Sequence, residues 1–131
     1  MMVDFNKLEL NKLIPIYIQI IRHVKQEIVS GNAKDGHEMP SRRVLSTILG
    51  VNPNTVQKAY KQMEEEGIII SYPGSKSIVT VNEEIRSKLK QELISEDVLS
   101  FIKAAKGMGF DKEDAKEVLY KYWDFEYEEE D

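Results

Sequence analysis

Hydrophobic residues recur at intervals of three and four along the first half of the chain, a spacing that is typical of amphipathic helices. The spacing predicts three helices, at about residues 15–30, 41–49 and 53–66. A glycine follows each stretch and is expected to end the helix. The predicted buried positions are Tyr17, Ile20, Ile21, Val24 and Ile28 in the first helix, Val44, Leu45, Ile48 and Leu49 in the second, and Val56, Ala59, Tyr60 and Met63 in the third.

The third predicted helix opens with four residues that individually prefer turns, Asn52-Pro53-Asn54-Thr55. Asn52 is a good N-cap, because its side chain can accept a hydrogen bond from a backbone N–H one turn on. Proline is favoured at the first helical position, where its missing N–H costs nothing. The turn-forming residues therefore begin the helix, and Ser41 is the corresponding N-cap of the helix before it.

Two runs of β-branched residues, 68–71 and 77–81, follow the third helix. The segment between them, YPGSK at residues 72–76, has the composition of a turn. This pattern predicts a β-hairpin. Since two strands are not stable alone, the hairpin is expected to pack against the helices.

The rest of the chain predicts two further helices. The first runs from Ile85 to about Lys106, with residues 95–97 as a candidate break. The second begins at Asp111, which with Asp114 three residues later resembles a capping box. The expected apolar positions are Ile85, Leu89, Leu93, Val98, Phe101, Ile102 and Ala105, and then Ala115, Val118, Leu119 and Tyr122. The acidic end, residues 126–131, is expected to be disordered.

The order of these elements predicts a fold that is mainly α with a small β-hairpin. Two short helices joined by Gly50-Val51-Asn52, with one helix before them and a hairpin after them, form a winged helix-turn-helix pattern. We assign residues 1–81 to this domain and residues 82–131 to a two-helix C-terminal region.

The formal net charge of −5 by itself argues against a polyanionic partner. The charge is unevenly divided, however, with net +2 over residues 1–80 and −7 over residues 81–131. Only the first part is therefore expected to face nucleic acid.

The composition also limits the class of protein. No apolar run approaches the ~20 residues that span a bilayer, and the N-terminus lacks the apolar core of a secretory signal. The sequence has no cysteine, which excludes disulfides and thiolate chemistry and fits a reducing cytoplasm. We expect a cytoplasmic protein without a membrane segment.

In a winged helix-turn-helix, the second helix of the pair enters the DNA major groove. The apolar positions of the helix at 53–66 leave a polar set outside: Asn54, Thr55, Gln57, Lys58 and Lys61. Amides and hydroxyls suit base edges, ammonium groups suit phosphates, and backbone N–H groups at the helix start also favour a phosphate. The alternative from this helix alone is a capped surface helix with solvated polar residues.

Three stretches taken together resemble the DNA-binding domain of the GntR family of bacterial transcription regulators: PIYIQIIRHVKQEIVSG, MPSRRVLSTILGVNPNTVQKAYKQMEEEGII and the hairpin. The resemblance covers residues 14 to about 81. The short two-helix C-terminal region further resembles the YtrA-like subfamily, whose members carry a small dimerisation region. The resemblance implies a homodimeric repressor that binds a two-fold symmetric, double-stranded operator, without a cofactor, and that controls a neighbouring transporter operon.

The resemblance also implies DNA-binding residues. Ser41 and Arg43 fall in the family's Pro-Ser-x-Arg-x-Leu element, where the arginine contacts the operator, and Arg42 is an additional cation beside it. Thr55 matches the recognition-helix threonine, whereas Asn52 and Pro53 replace a common Ser-Arg, so one base-reading arginine is absent.

The wing also departs from the family pattern. Many members read Gly-x-Gly-x-Phe-Val, and this chain keeps Gly74 but lacks the second glycine. The missing glycine disfavours close approach of the wing backbone to DNA, and Lys76 is the candidate for a phosphate or minor-groove contact instead.

The C-terminal region is rich in aromatic residues: Tyr120, Tyr122, Trp123, Phe125 and Tyr127. One helix face cannot bury so many, so they cover the preceding helix, form a dimer seam, or do both. The residues assigned to dimerisation are Leu89, Leu93, Phe101, Leu119, Tyr122 and Trp123.

The remaining polar residues give weaker indications of function. His23 and His37, without cysteine or a second histidine at ligand spacing, are expected in surface or capping roles and not in a metal site. Glu64-Glu65-Glu66 is interpreted as a solvated helix end. A rival function is a winged-helix protein-interaction module without specific DNA binding. An enzyme is not expected, because the chain is too short for the aminotransferase-like fusion of some GntR relatives and lacks a phosphate loop and a His-carboxylate cluster.

Overall fold

The structure is a computed structural model, and it describes residues 1–74 and 76–125. Its elements, in chain order, are α1 (Ile16–Ser30), α2 (Arg42–Leu49), α3 (Pro53–Glu65), β1 (Ile69–Ser71), β2 (Ser77–Val79), α4 (Glu83–Gly107) and α5 (Lys112–Tyr122). The chain divides into two compact units, Met1–Leu93 (the first unit) and the residues from Ile94 onward (the second unit). The division falls inside α4, beyond the domain boundary at residue 81 that we assigned from the sequence.

The first unit has a core to which every one of its helices and both strands contribute. α1 and α3 supply the largest shares of the core, and the predicted buried face of α3 is confirmed. The fully or nearly fully buried side chains include Ile20, Ile21, Val24, Ile28, Ala33, Met39, Leu45, Val56, Ala59, Tyr60, Met63, Ile68, Ile69, Val79 and Leu89. The sequence periodicity therefore placed the centre of this unit correctly.

The residues before α1 also belong to the core, which the sequence pattern did not indicate. Val3 and Phe5 are buried, and the Val3 N–H donates to the Glu38 carbonyl at 2.8 Å. The Phe5 ring lies 4.9 Å from the ring of His23, and His23 Nε2 is 2.7 Å from the Asp4 carbonyl oxygen. The surface or capping role expected for His23 is wrong, because the N-terminal segment covers it.

The predicted hairpin is present as β1 and β2, which pair antiparallel with Ile70 opposite Ile78. The Tyr72 N–H donates to the Lys76 carbonyl at 3.1 Å and closes the tip. Ile69 and Val79 point into the core, so the hairpin is held by the helices as expected.

The predicted apolar stripe of α2 is wrong at two of its four positions. Leu45 is buried and Leu49 is half-buried, but Val44 and Ile48 are exposed. α2 packs mainly against α3, and a helix with one neighbour covers only the row of side chains four residues apart. Ser46 is buried instead, with its hydroxyl donating to the Arg43 carbonyl at 2.9 Å.

α4 is one unbroken helix across the candidate break at residues 95–97. Serine and aspartate in a solvated helix interior cost only a fraction of a kcal/mol each relative to alanine, roughly 0.5–0.7, which the long helix tolerates. In the first unit, the start of α4 is fixed to the end of α1, because the Arg86 guanidinium donates to the Ile28 and Val29 carbonyls at 3.4 and 2.8 Å.

The second unit consists of the end of α4, a turn at Met108 and Gly109, and α5. The predicted capping box is confirmed, since Asp111 Oδ1 accepts from the Asp114 N–H and Asp114 Oδ2 accepts from the Asp111 N–H. Residues 126–131, which we expect to be disordered, lie outside the described residues. Among the helices that the structure describes, none is long and apolar enough to cross a membrane.

Candidate nucleic-acid interface

The turn between α2 and α3 sets the angle at which α3 leaves the helix pair. Gly50 ends α2 with φ +65°, a left-handed conformation that favours glycine. The Val51 N–H donates back to the Ser46 carbonyl at 3.0 Å. Asn52 then caps α3, as predicted, with its side-chain oxygen accepting from the Asn54 N–H at 2.8 Å. The turn residues therefore position the first turn of α3.

The outward side of α3 carries most of the predicted DNA-binding residues. Asn54, Gln57, Lys58 and Lys61 are exposed, and their spacing of three and four residues places them along one face of the helix. Thr55 is half-buried at the edge of this face. The face offers two amides and two ammonium groups, a combination that suits base edges flanked by phosphates.

The ammonium group of Lys58 is not free in solvent. It lies 4.0 Å from the centre of the Tyr17 ring on α1, an arrangement in which the ring face attracts the cation. Lys61, one turn later, is exposed and has no hydrogen-bond or salt-bridge partner within residues 1–74 and 76–125. The two lysines of this face therefore differ in how tightly their charges are held.

Neighbouring residues at the start of α2 have different roles. Ser41 is an N-cap, as predicted, since its Oγ accepts from the Val44 N–H at 3.1 Å. The Arg43 side chain is exposed, and no partner for its guanidinium occurs in the described part of the chain. Arg42, by contrast, points back over the protein, where Nη2 lies 2.8 Å from Glu64 Oε1 and 3.2 Å from Ser71 Oγ. Arg43 is thus the cation that is available to a ligand.

A buried tyrosine lies beneath Arg42. The Arg42 guanidinium carbon is 4.9 Å from the centre of the Tyr60 ring, and the Tyr60 hydroxyl donates to the Pro40 carbonyl. Burial raises the pKa of the Tyr60 hydroxyl well above its ordinary value, and the Arg42 charge offsets part of that rise. Tyr60 therefore stays neutral and holds the chain that leads into α2.

The wing places Gly74 and Lys76 at its tip. Gly74 has φ +65°, which again favours glycine. Lys76 Nζ lies 2.7 Å from Glu38 Oε1. The hydrogen bond from Lys76 and its positive charge hold the pKa of the Glu38 carboxyl below its ordinary value. The charge that Lys76 could offer to DNA is therefore shared with a carboxylate, a pairing that sequence spacing does not reveal.

The residues assigned to dimerisation fall into two groups. Leu89 and Leu93 are only 6% and 8% exposed within a single chain, so the first unit already covers them. Phe101 is half-buried, whereas Leu119 on α5 and Trp123, the C-cap of α5, are 49% and 80% exposed. Of the residues assigned to dimerisation, those of the second unit are therefore the ones that offer apolar surface to a partner.

The second unit exposes more apolar surface than the sequence assignment included. Ala105 is the one side chain of its described residues that is buried. The large exposed side chains are Ile94, Val98, Leu99, Ile102, Met108, Phe110, Leu119, Tyr120, Tyr122, Trp123 and Phe125. An apolar surface of this extent is unusual on a monomeric protein.

Comparison with known proteins gives a consistent result. The sequence profile of the family described as "Bacterial regulatory proteins, gntR family" matches residues 16–79. The chain is 41% identical over 90 residues to the HTH-type transcriptional repressor YtrA of Bacillus subtilis (strain 168), covering 61% of this chain and 69% of that protein. It is 34% identical over 103 residues to the uncharacterized HTH-type transcriptional regulator YhcF of the same organism, covering 79% of this chain and 85% of that protein.

Solved structures show the same similarity. A GntR family transcriptional regulator from Listeria monocytogenes superposes with a TM-score of 0.76 at 31% identity, covering 86% of this chain and 98% of that chain. YtrA from Sulfolobus acidocaldarius, a GntR-family transcription factor, superposes with a TM-score of 0.54 at 33% identity, covering 74% of this chain and 99% of that chain. The predicted winged helix-turn-helix fold is confirmed by these neighbours.

Proposed function

Because the chain belongs to the gntR family of bacterial regulatory proteins, we propose that it acts as a homodimeric repressor at a two-fold symmetric operator. Its relatives are named as transcriptional regulators, and the chain is a transcriptional regulator with a DNA-binding helix-turn-helix and not an enzyme. The similarity to two proteins named YtrA supports the YtrA-like subfamily. The Bacillus subtilis relative is named as a repressor, which supports repression here.

The observation that carries the proposal is the outward face of α3. In our proposal this face enters the major groove, with Asn54 and Thr55 at base edges and Gln57, Lys58 and Lys61 closer to the backbone. These side chains are exposed or half-exposed in a helix whose other face is fully buried. The helix therefore cannot rotate away from the groove without losing its core.

Phosphate contacts are assigned to the residues around that helix. Arg43 carries the free cation at the start of α2, and the backbone N–H groups that open α3 favour a phosphate. The Ser41 and Asn52 side chains are engaged as caps, so their contribution is to fix the two helix starts. Gly74 and Lys76 supply the wing contact, with Lys76 exchanging Glu38 for a phosphate.

Dimerisation is assigned to the second unit. Its exposed apolar side chains need cover, and a second copy of the same surface supplies it across a two-fold axis. The net charge of −7 on residues 81–131 keeps this part away from DNA. Two copies of the first unit then occupy half-sites roughly 34 Å apart, which is one turn of B-DNA. We further propose that this regulator acts in the cytoplasm.

The test is selection from a pool of random double-stranded DNA with the full-length protein at about 0.15 M salt. We expect enrichment of one motif with two-fold symmetry, bound with a steep salt dependence because several phosphates are neutralised. A pool that shows no enrichment, together with weak binding, would instead favour the protein-interaction module. Enrichment of a single, asymmetric half-site would support DNA recognition and contradict the symmetric dimer.

A further inference from the structure

Arg42 belongs to a polar cluster that connects four elements of the first unit, α2, α3, β1 and β2. Its Nη2 donates to Glu64 Oε1 at 2.8 Å and to Ser71 Oγ at 3.2 Å. The Ser71 hydroxyl also donates to Glu64 Oε1, and Ser77 Oγ lies 2.7 Å from Ser71 Oγ on the opposite strand. These four residues, the Arg42 cluster, tie the start of α2 to the end of α3 and to the base of the wing.

The Arg42 cluster is partly buried and packs on Tyr60. Ser77 is 5% exposed, and the Arg42 and Glu64 side chains are each 34% exposed. The guanidinium lies over the Tyr60 ring, while the Tyr60 hydroxyl holds the Pro40 carbonyl two residues before Arg42. Both the backbone and the side chain of Arg42 are therefore fixed by the same buried residue.

The conformation of the Arg42 side chain leaves one of its nitrogen atoms buried without a hydrogen bond to any described residue, which costs free energy. Among the described side chains, Arg42 Nε is buried and has no hydrogen-bond partner. Leaving a buried donor unpaired is unfavourable. An arginine that served mainly as a mobile phosphate contact would turn outward and hydrate that group, as the exposed Arg43 does.

We propose that Arg42 is a positioning residue for DNA recognition and not itself a DNA contact. With Glu64 and the two serines it fixes the wing relative to α3, so that the wing tip and the outward face of α3 meet the same duplex together. The planar guanidinium lies over the Tyr60 ring while its Nη2 contacts both Glu64 and Ser71, and an ammonium has no plane with which to stack on a ring. This inference rests on the DNA-binding function proposed above and replaces the role in direct DNA binding that the sequence suggested for Arg42.

Glu64→Gln separates positioning from direct contact, because the two roles predict opposite signs. The substitution removes one negative charge, so electrostatics alone would tighten binding to DNA. If the Arg42 cluster positions the wing, Glu64→Gln instead weakens binding to the selected operator duplex by on the order of tenfold, as expected for a coupled pair. The slope of affinity against salt stays unchanged, because no phosphate contact is lost. Glu65→Gln, an exposed carboxylate on the same turn, is the matched control.

Arg42→Lys and Arg42→Met complete the test. A lysine keeps the charge for a phosphate but lacks the planar group that lies over the Tyr60 ring, so positioning predicts that both variants lose affinity with the wild-type salt slope. Combining Arg42→Met with Glu64→Gln should cost no more than either change alone. Should Arg42→Met fail to fold by circular dichroism, Ser71→Ala takes its place as the second member of the cluster.

Several outcomes would overturn the inference. A flatter salt slope for Arg42→Met with full rescue by lysine, tighter binding by Glu64→Gln, or unchanged affinity in all the variants would each show that the cluster does not position the wing. A wild-type protein that selects no operator at all would instead contradict the proposed function, so the two failures are distinguishable.

Discussion

The first unit and the second unit treat their apolar side chains in opposite ways. The first unit buries side chains from all of its helices and both strands, and even recruits Val3 and Phe5 from before α1. The second unit buries Ala105 alone among its described residues and leaves Trp123 80% exposed. A region that buries its own core can fold by itself, whereas a region that exposes its apolar surface depends on cover from another molecule. The comparison supports our proposal that the self-contained first unit binds DNA and that the second unit mediates dimerisation.

The largest expected effect comes from removing exposed apolar side chains of the second unit. Replacing both Leu119 and Trp123 by serine should convert a dimer to a monomer, which sedimentation velocity measures directly. Operator affinity should then fall by a factor on the order of 1,000, because two linked half-site contacts bind far more tightly than one. Leu13→Ser, at an exposed apolar residue of the first unit, is the control and should leave both properties unchanged. A double variant that remained dimeric would place the dimer contact outside this part of α5.

The next effect contrasts two leucines of the same helix. Leu89→Ala should lower the free energy of unfolding of the first unit by about 3 kcal/mol, since it leaves a cavity in a packed core. Leu99→Ala, at a 65% exposed position of α4, should change that quantity by less than about 0.5 kcal/mol. Urea unfolding followed by amide hydrogen exchange in α3 measures the free energy of unfolding of the first unit separately from that of the second. Equal losses in the two variants would show that the units are not independently stabilised.

The charges of the two units can be compared in the same way. Arg43→Ala should weaken operator binding by about 2 kcal/mol and reduce the salt slope by about one, because a charge-assisted contact is lost. Lys103→Ala removes an exposed cation of the second unit and should leave both affinity and slope near wild type. Fluorescence anisotropy titrations at several salt concentrations provide both numbers. A similar loss in the two variants would contradict the assignment of DNA binding to the first unit alone.

The smallest effect is a pH dependence confined to the first unit. Burial raises the folded-state pKa of Tyr60, so the folded protein keeps this proton at a pH where the unfolded chain releases it. The contribution to stability is complete below the unfolded pKa of about 10 and is lost above it, by on the order of 1 kcal/mol per pH unit. Thermal unfolding from pH 9 to 11 should show this loss in the wild type and a weaker one in Tyr60→Phe. If the stability of the two proteins fell in parallel between pH 9 and 11, Tyr60 would not be the cause of the loss.

The parts of the fold that could be predicted from the sequence are those that depend on local periodicity. The helices α1 and α3, the hairpin and the capping box at Asp111 follow from spacing and turn chemistry within a few residues. The position of Val3 and Phe5 in the core could not be predicted, because a short segment without periodicity gives no local signal. The exposed Val44 and Ile48 were misassigned because periodicity shows which residues share a face but not how many neighbours a helix has.

The candidate site shows the same limit. The phase of α3 predicted which of its polar side chains face outward, and the structure places them there. The engagement of Arg42 by Glu64 joins residues 22 apart in the sequence, and Lys76 with Glu38 joins residues 38 apart. The sequence interpretation of Glu64-Glu65-Glu66 as a solvated helix end was wrong for the half-buried Glu64, and it did not foresee that the exposed Glu66 pairs with Lys25 at 3.2 Å. Such pairs depend on tertiary packing, which the charge pattern alone does not encode.

The segment before α1 also affects how the first unit can fold. Met2 pairs with Glu38, and Glu38 in turn pairs with Ile78, so three distant parts of the chain form one small ladder. These bridges close long loops, and contacts of such high sequence separation form slowly. Leu89 joins the core from farther still along the chain. A partly folded first unit therefore exposes apolar side chains until these distant contacts form, and such intermediates are prone to aggregation.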